Sequence, residues 1–492
     1  MSLARALKIL LSVAATAATL GCHDSTAPAT LTVSAVSPDV GPVLGGTSVT
    51  IIGVNFIDVT SVTIGGIELT GRTVVGTTQI AGTTPVGDAF GPADIIVTSG
   101  SHGSGTCSGC FSYVPGVSPQ TIAAGIWHTC GLTTRGTAYC WGDNSVGQLG
   151  DGSSRGSSTP VAVSGGLSFS SLATNGTPPS AGPPPEFVND HTCGLTSSGA
   201  AYCWGDNSAG QLGNGSTTGS STPVAVSGGL SFTALATGGV HTCGLTSAGV
   251  AYCWGANYAG QLGVGTTTGP QTCAVTVSGL GYFELTCSTV PVAVSGGFSF
   301  RDLAAGGIHT CGLTSAGAAY CWGLSVGASN STVPAPVATG LRWASITARG
   351  HYTCGVTLGE SAYCWGENSA GQLGTGSTTS SSTPVAISGG LTFSAIAPGG
   401  DHTCGLTTSG AAYCWGDNSS GQLGNGSTSS SSVPVAVSGD LSFSALATSR
   451  RHHTCGLTTS GAVYCWGDNY SGQLGNGTTT SSSVPVKVAG PP

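Results

Sequence analysis

Between residues 120 and 490, apolar and polar positions alternate in short runs that return in one fixed order. One copy reads Phe393-Ser394-Ala395-Ile396-Ala397, then His402-Thr403-Cys404-Gly405-Leu406-Thr407, then Ala412-Tyr413-Cys414-Trp415-Gly416, then Pro434-Val435-Ala436-Val437. A period of two is that of strands rather than helices. The second and third runs flank a turn with Gly at a fixed place, at Gly136, Gly199, Gly249, Gly317, Gly410 and Gly461. A tight hairpin needs a positive φ there, which Gly supplies without strain. Four short strands per roughly fifty residues, repeated in series, is the pattern of a propeller blade. The expected fold is all-β, with a seven-bladed β-propeller over 120–490.

Cysteine gives the repeat a second signature. Of the 19 Cys, seven pairs stand ten residues apart: Cys130 with Cys140, Cys193 with Cys203, Cys243 with Cys253, Cys311 with Cys321, Cys354 with Cys364, Cys404 with Cys414, and Cys455 with Cys465. Folding each segment about its midpoint sets the two Cys opposite one another on antiparallel strands, close enough to bridge. Each bridge is expected to staple its own hairpin. Cys273 and Cys287 would close a loop, and Cys107 and Cys110 would staple another. A metal reading of the recurrent His-x-Cys fails on ligand count. Each site would hold one His and two Cys, and the fifth copy has Tyr352 in place of the His. The Asp-Asn-x-x-Gly-Gln-Leu-Gly-x-Gly stretch that follows each hairpin lacks the late acidic ligand of a calcium loop and reads as a turn. No metal and no cofactor is expected.

Ahead of the repeats, Arg5 and Lys8 precede an apolar run, Ile9 to Ala18, that is too short to span a membrane. Leu20-Gly21-Cys22 follows directly and resembles a bacterial lipobox. That resemblance implies a leader over 1–21 and a lipid on Cys22, with a tether over 22–30. The cell envelope, with the outer membrane or cell surface favoured, is then the expected location, and it is an oxidising one. Residues 31–115 do not repeat. They carry strand-like runs at Ser48 to Ile52, Ser61 to Ile64 and Ala93 to Thr98. Val36-Ser37-Pro38-Asp39-Val40-Gly41-Pro42, followed by Gly45-Gly46-Thr47-Ser48-Val49-Thr50-Ile51, is similar to the opening of an IPT/TIG domain, an immunoglobulin-like β-sandwich. The resemblance implies a spacer or adhesive module.

Composition narrows the function classes. Only 6% of residues are charged and 83 are Gly, and the net charge is −8 with the basic residues scattered. A nucleic-acid partner, which needs a concentrated positive footprint, is not expected. Gly-Gln-Leu-Gly at 147–150, 210–213, 260–263, 371–374, 421–424 and 472–475, with the aromatic-Gly before it and His-Thr-x-x-Leu-Thr, resembles the repeat of the regulator of chromosome condensation family. The resemblance implies a seven-bladed propeller. It also brings three activities to weigh: binding, the β-lactamase inhibition of some secreted bacterial members, and the namesake guanine-nucleotide exchange. The leader, the cysteines and the acidic charge place this chain away from the last.

Features shared by every copy build the fold, so function is sought where copies differ. The intervals between first Cys residues are 63, 50, 68, 43, 50 and 51. The departures fall at 175–190, at 270–289, at the lost Gly-Gln-Leu-Gly of the fourth copy and near Arg450. In an up-and-down blade the connections concerned all emerge at one end, which makes that end a candidate binding face. Candidate contact residues are Glu186, Phe187, Asp190, Tyr282, Phe283, Glu284, Arg349, Tyr352, Arg450 and Arg451. A binding or adhesion scaffold is the expected function, with a protein or glycan partner, a membrane anchor through lipid, and a monomeric state. A non-enzyme is expected. A glycosidase would need non-repeated acids such as Glu186, Glu284, Asp302, Glu360 and Asp401 to converge within about 5 to 10 Å.

Overall fold

The computed structural model describes residues 30–37, 39–42, 48–85, 91–114, 118–133, 135–175, 190–277, 281–324, 330–337, 340–450 and 452–490. Every regular element among them is a β-strand. The leader, Cys22 and the tether up to residue 29 lie outside the described residues.

The first unit is a two-sheet sandwich. One sheet runs Thr32–Ser37, Ser48–Val54, Gln79–Thr83, Thr70–Val75, and the other runs Val40–Pro42, Gly103–Val114, Gly91–Ser99, Val59–Ile64, Ile67–Glu68. The alternation read from sequence decides which residues fill it: Ile51, Val62, Ile64, Ile80, Ile95, Val97 and Phe111 are wholly buried between the sheets. Cys107 and Cys110 are bridged, but not across a loop. Both lie within the Gly103–Val114 strand. There the pairing with Gly91–Ser99 jumps from Ala93 opposite Phe111 to Ile95 opposite Cys107. The bridge closes a bulge, whose Gly109 has φ 63° and donates its N–H to Asp94 Oδ1 at 2.8 Å.

The second unit is a ring of seven sheets, each formed by one contiguous stretch: 118–162, 169–225, 232–293, 300–336, 343–386, 393–436 and 443–487. They are blades one to seven. Within each, the four repeat strands lie side by side in chain order, and the first strands of all seven blades line a central channel. Six blades have four strands. Blade three has five, because its insertion folds back as a hairpin instead of a loop.

In all seven repeat hairpins the paired Cys stand directly opposite, with Cα atoms 4.0 to 4.1 Å apart, and are bridged. The bridges join Cys130 to Cys140, Cys193 to Cys203, Cys243 to Cys253, Cys311 to Cys321, Cys354 to Cys364, Cys404 to Cys414, and Cys455 to Cys465. The bridges staple their hairpins as expected, and they also form part of the apolar surface between blades. Cys130 and Cys140 of blade one pack with Leu132, Ala138 and Leu149 against Phe169, Leu172 and Trp204 of blade two. In the same way Cys203 joins the cluster of Trp254, Cys253 that of Trp322, Cys364 that of Trp415, and Cys465 that of Trp141. Cys321 of blade four is the exception, only partly buried beside Trp343 and Trp365. Blade four lacks the Gly-Gln-Leu-Gly loop that brings a buried Leu to the other clusters.

A side-chain relay fastens each blade to the next. His128 Nε2 of blade one lies 2.8 Å from Thr192 Oγ1 of blade two, and that hydroxyl donates to the Gln148 carbonyl of blade one at 3.1 Å. Trp204 Nε1 donates to the same carbonyl at 2.9 Å. With its own hydrogen committed, the Thr oxygen is left to accept, which makes the His Nε2 the donor and fixes the tautomer. The pattern repeats as His191, Thr242, Gln211, Trp254 and as His241, Thr310, Gln261, Trp322. It recurs as His402, Thr454, Gln422, Trp466. The ring closes with the same parts. His453 meets Thr129, and Thr129 and Trp141 both donate to the Gln473 carbonyl. Among the described residues no strand is exchanged between the first and last blades. The second Gly of Gly-Gln-Leu-Gly is required here, since a Cβ on Gly475 (φ 66°) would stand 2.6 Å from the Trp141 indole nitrogen.

Two boundaries depart from the rule. Tyr352 replaces the His in blade five, and its hydroxyl reaches Thr403 Oγ1 and the His402 carbonyl, each at 2.7 Å. Blade four has lost its Gly-Gln-Leu-Gly, so Thr353 of blade five receives His309 but finds no Gln carbonyl. Arg301 of blade four compensates by donating to the Trp343 and Ala344 carbonyls of blade five at 3.0 and 2.7 Å.

Blade five also carries Glu360 at the hairpin position that Gly holds elsewhere, and it takes φ 61° there. A left-handed conformation strains any residue with a Cβ. Glu360→Gly is therefore expected to stabilise the chain by about 1 kcal/mol, read as a rise in the urea midpoint with the disulfides intact. The relay makes a second prediction. Burial brings His241 and His309 down from 6.5 to about 3, and neighbouring His rings add to the effect. The unfolded chain protonates these rings near 6.5 while the folded chain does not, so their contribution is complete above 6.5 and is lost as pH falls toward 3. Each ring should cost about 1.4 kcal/mol per pH unit within that window. Urea midpoints from near neutrality to about pH 5 should fall with pH, and His309→Asn should flatten the slope. A slope unchanged by the substitution would show that the ring is not held neutral.

Candidate functional site

The first-to-second and third-to-fourth connections of every blade emerge at one end of the ring. At that end the first-to-second turns bond one another around the channel. Gly239 N donates to the Gly306 carbonyl at 3.0 Å, and Gly307 N to the Gly350 carbonyl at 2.6 Å. The third-to-fourth connections are built by their Asn. In blade two Asn207 Nδ2 donates to the Ser216 and Thr218 carbonyls at 2.9 and 3.0 Å, while its Oδ1 accepts Leu212 N at 2.9 Å. In blade two this Asn and the following Gln211 are fully buried and hydrogen-bonded within the loop, whereas in blades three and five the Nε2 atoms of Gln261 and Gln372 are buried with no hydrogen-bond partner among the described residues.

One element leaves this frame. Gln271–Val277 pairs antiparallel with the leading half of Gly281–Ala293, from Gln271 opposite Cys287 to Val277 opposite Gly281. The trailing half continues the blade, beginning with Cys287 opposite Ala256. Residues 271–286 therefore form a ribbon that projects past the blade. Its base is fixed by the Cys273–Cys287 bridge, by Asn257 N donating to the Thr286 carbonyl at 2.7 Å, and by Gln271 Oε1 accepting Thr289 Oγ1 at 2.6 Å. Gln271–Val277 is the outermost strand of its sheet and leaves one row of backbone groups unpaired.

The second element lies inside the ring. The channel is open, has a volume of about 360 Å³, and is lined chiefly by Ala, Leu, Ile, Thr and Ser of the seven first strands, with Asn175, Asp302 and Pro398. Arg349, at the end of the blade five strand, reaches across it. Nη1 donates to the Ala124 carbonyl of blade one at 2.5 Å and the Thr448 carbonyl of blade seven at 2.7 Å, and Nη2 to the Thr174 carbonyl of blade two at 2.5 Å. Arg349 keeps accessible surface only because it borders the channel. Burial brings it down to about 10, offset in part by Asp190 and reinforced by Arg450.

The sequence-derived contact residues divide accordingly. Glu284 is exposed on the projecting ribbon, and Tyr282 and Phe283 stand in the same strand, opposite Thr276 and Val275. Glu186, Phe187 and Arg451 lie outside the described residues. Asp190, Tyr352, Arg349 and Arg450 require correction, for none is displayed on the rim. Asp190 is fully buried at the boundary of blades one and two, where it accepts Ile126 N and Trp127 N and stands 3.1 Å from His128 Nδ1. Tyr352 is fully buried in the relay, and Arg450 is 5% exposed with Nη2 3.4 Å from His351 Nε2. Tyr352 fastens the irregular boundary of blades five and six, Arg349 ties blade five to blades one, two and seven across the channel, and Asp190 caps the turn of blade one at a boundary that keeps the regular relay. Non-repetition marks a local packing problem as readily as a contact surface.

The non-repeated acids also separate. Asp302 borders the channel, Asp401 lies in a first-to-second turn of blade six, Glu284 is on the ribbon, and Glu360 is in a hairpin turn at the opposite end of the ring. One chemical motif is easily passed over where the fourth copy loses its loop. Gly323-Leu324-Ser325-Val326-Gly327 has the spacing of a nucleophile elbow. Gly323 ends a blade strand, and Ser325 lies outside the described residues.

Comparison with known proteins accords with the repeat geometry. Two models of the regulator of chromosome condensation (RCC1) repeat match residues 120–148, 187–211, 232–261 and 393–422, and residues 135–173, 248–313, 361–406, 409–456 and 460–492. The chain belongs to the regulator of chromosome condensation repeat family. An IPT/TIG domain model matches residues 31–114. Human Protein RCC2 is 31% identical over 112 residues, 22% of this chain and 19% of that protein. The human Probable E3 ubiquitin-protein ligase HERC3 is 35% identical over 95 residues, 19% of this chain and 8% of that protein. The chain thus spans less than a fifth of the length of these relatives. Among solved structures, Prp20p from Saccharomyces cerevisiae, described with its binding to Gsp1p and histones, superposes with a TM-score of 0.59 at 20% identity. The match covers 74% of this chain and 87% of that one. Human WBSCR16 superposes at 0.57 with 21% identity over 69% and 88%. These likenesses establish the propeller fold of the RCC1 family for this chain. Its nine disulfides point to an extracytoplasmic location.

Proposed function

We propose that this protein is a cell-envelope binding scaffold, tethered by lipid on Cys22, that engages a protein partner through the end of its propeller bearing the ribbon of residues 271–286. The ribbon carries the reading. It is the largest addition to an otherwise repeated frame, its base is locked by a disulfide, and its outer strand offers unpaired backbone to an extended segment of a partner. Strand addition of this kind draws affinity from main-chain hydrogen bonds and selectivity from alternate side chains. The uniform blades contribute rigidity, so a bound segment meets a surface that is ordered in advance. A protein partner is favoured over a glycan because the unpaired feature is a strand edge.

The direct test compares the intact chain with one in which residues 271–287 are replaced by the corresponding short connection of blade six. Capture of envelope proteins should weaken by roughly tenfold or more, as expected when a central anchor is removed. Equal capture by both chains would remove the ribbon from the interaction. For the anchor, Cys22→Ala should move the protein from the membrane fraction to the soluble fraction, and mass spectrometry of the native chain should find the diacylglyceryl group on Cys22. An unmodified Cys22 would exclude the lipid tether.

A further inference from the structure

Arg349 poses an electrostatic question that its structural role leaves unanswered. A guanidinium has five N–H donors, and the three bonds to Ala124, Thr448 and Thr174 leave the Nε hydrogen and one on Nη2 without an acceptor among the described residues. No carboxylate of the described residues forms an ion pair with it. Asp190, the acid that acts on it electrostatically, already accepts Ile126 N and Trp127 N and stands 3.1 Å from His128 Nδ1. Charges removed from bulk water are ordinarily paired with an opposite charge. A second group points the same way. Thr174 borders the channel and is 3% exposed, and its Oγ1 has no hydrogen-bond partner, although its carbonyl is one of those holding Arg349. In blade five the Thr347 hydroxyl donates to the Ile396 carbonyl at 3.2 Å, so an unsatisfied hydroxyl is not a general property of these strands.

The remainder of the channel is of a different character. Leu235, Ile346 and Leu446, with Ala of several blades, border it, and about 360 Å³ is within the size range of small-molecule sites. Arg349 crosses the end nearest the first-to-second turns. Four residues earlier in the same strand, roughly 13 Å away, stands Ser345, and Asp302 occupies the equivalent place in blade four. The channel is thus a sleeve of mixed lining, with apolar stretches from Leu, Ile and Ala beside Thr and Asn, and a cationic floor.

We propose that this channel binds a small monocarboxylate with an apolar body, entering past Asp302 and Ser345 and placing its carboxylate on the uncommitted N–H groups of Arg349 and the hydroxyl of Thr174. The carboxylate supplies the missing counter-charge, and planar N–H pairs suit its two oxygens better than a point charge would. The body replaces water against the Ala, Leu and Ile wall. Asp302 at the entrance disfavours a second carboxylate.

Calorimetric titration of the intact, disulfide-bonded chain tests this with sodium hexanoate, hexanol and hexylammonium as probes. Hexanoate should bind saturably at one site per chain and at least tenfold more tightly than either of the others. Thr174→Val retains the carbonyl that holds Arg349 and removes only the hydroxyl, so it should weaken hexanoate roughly threefold to tenfold and leave hexanol unchanged. Arg349→Met should abolish the preference for hexanoate. If that variant fails to fold, Thr174→Val alone decides. The proposal is overturned if hexanoate does not saturate, if it binds no more tightly than hexanol or hexylammonium, or if Thr174→Val binds it like the parent chain. Removal of the 271–287 ribbon should leave hexanoate binding intact, which separates this site from the proposed partner surface.

Discussion

The carbonyl of the Gln in Gly-Gln-Leu-Gly is the point on which the ring depends. It accepts from a Thr hydroxyl and an indole N–H of the next blade, and the Thr in turn receives a His from its own neighbour. Each of these groups is buried, so each would be costly to leave unpaired. The repeat motif is the list of parts this carbonyl requires: a Gln whose side chain is spent on its own loop, a Gly where the indole lies, and a Trp, Thr and His at fixed distances. Disulfide and aromatic packing fill the space between blades but would not set their register. The hydrogen bonds do, because they are directional and the contacts are not.

Much of this was legible in the chain before any coordinates. Strand number, blade number and Cys pairing all follow from a period of two nested in a period near fifty, with Gly at the hairpin turns. The packing of Cys203, Cys253, Cys364 and Cys465 against the next blade was not, since a pair ten residues apart defines its own hairpin and says nothing of the neighbour. The ribbon of blade three was legible only as extra length, because Cys273 and Cys287 fit a closed loop as well as a hairpin. Arg349 and Asp190 were legible as exceptions, but not as a residue facing the channel and a fully buried one. Sequence records that a residue breaks the repeat, while the reason depends on carbonyls contributed by blades far away along the chain. Ala124, Thr174 and Thr448 are separated from Arg349 by 225, 175 and 99 residues, and no local pattern joins them.

The irregular boundaries show how a repeat tolerates loss. Blade four lacks the loop that would receive Trp365 and Thr353, and the gap is met by Arg301 and by Trp343 in place of the usual Phe, its ring 5.4 Å from that of Trp365. The neighbouring boundary then uses Tyr352, whose longer reach brings its hydroxyl within 2.7 Å of both the His402 carbonyl and Thr403 Oγ1. Blade five is where the ring departs most from its own rule, and it also supplies the Arg that spans the channel. A local defect in the periphery and a cross-brace at the centre occur in the same blade.

The absence, among the described residues, of strand exchange between blades one and seven gives the ring a definite load path. A chain held at its amino-terminal end transmits tension into the first strand of blade one, which is joined to blade seven by side-chain and loop bonds alone. The seam at Thr129, Trp141, His453 and Gln473 is therefore where an applied force is first felt. Beyond it, every blade carries a covalent clasp between its second and third strands, which withholds that hairpin from extension. Under tension each blade would therefore give up its chain less one clasped hairpin, and the hairpin would hold as a compact unit.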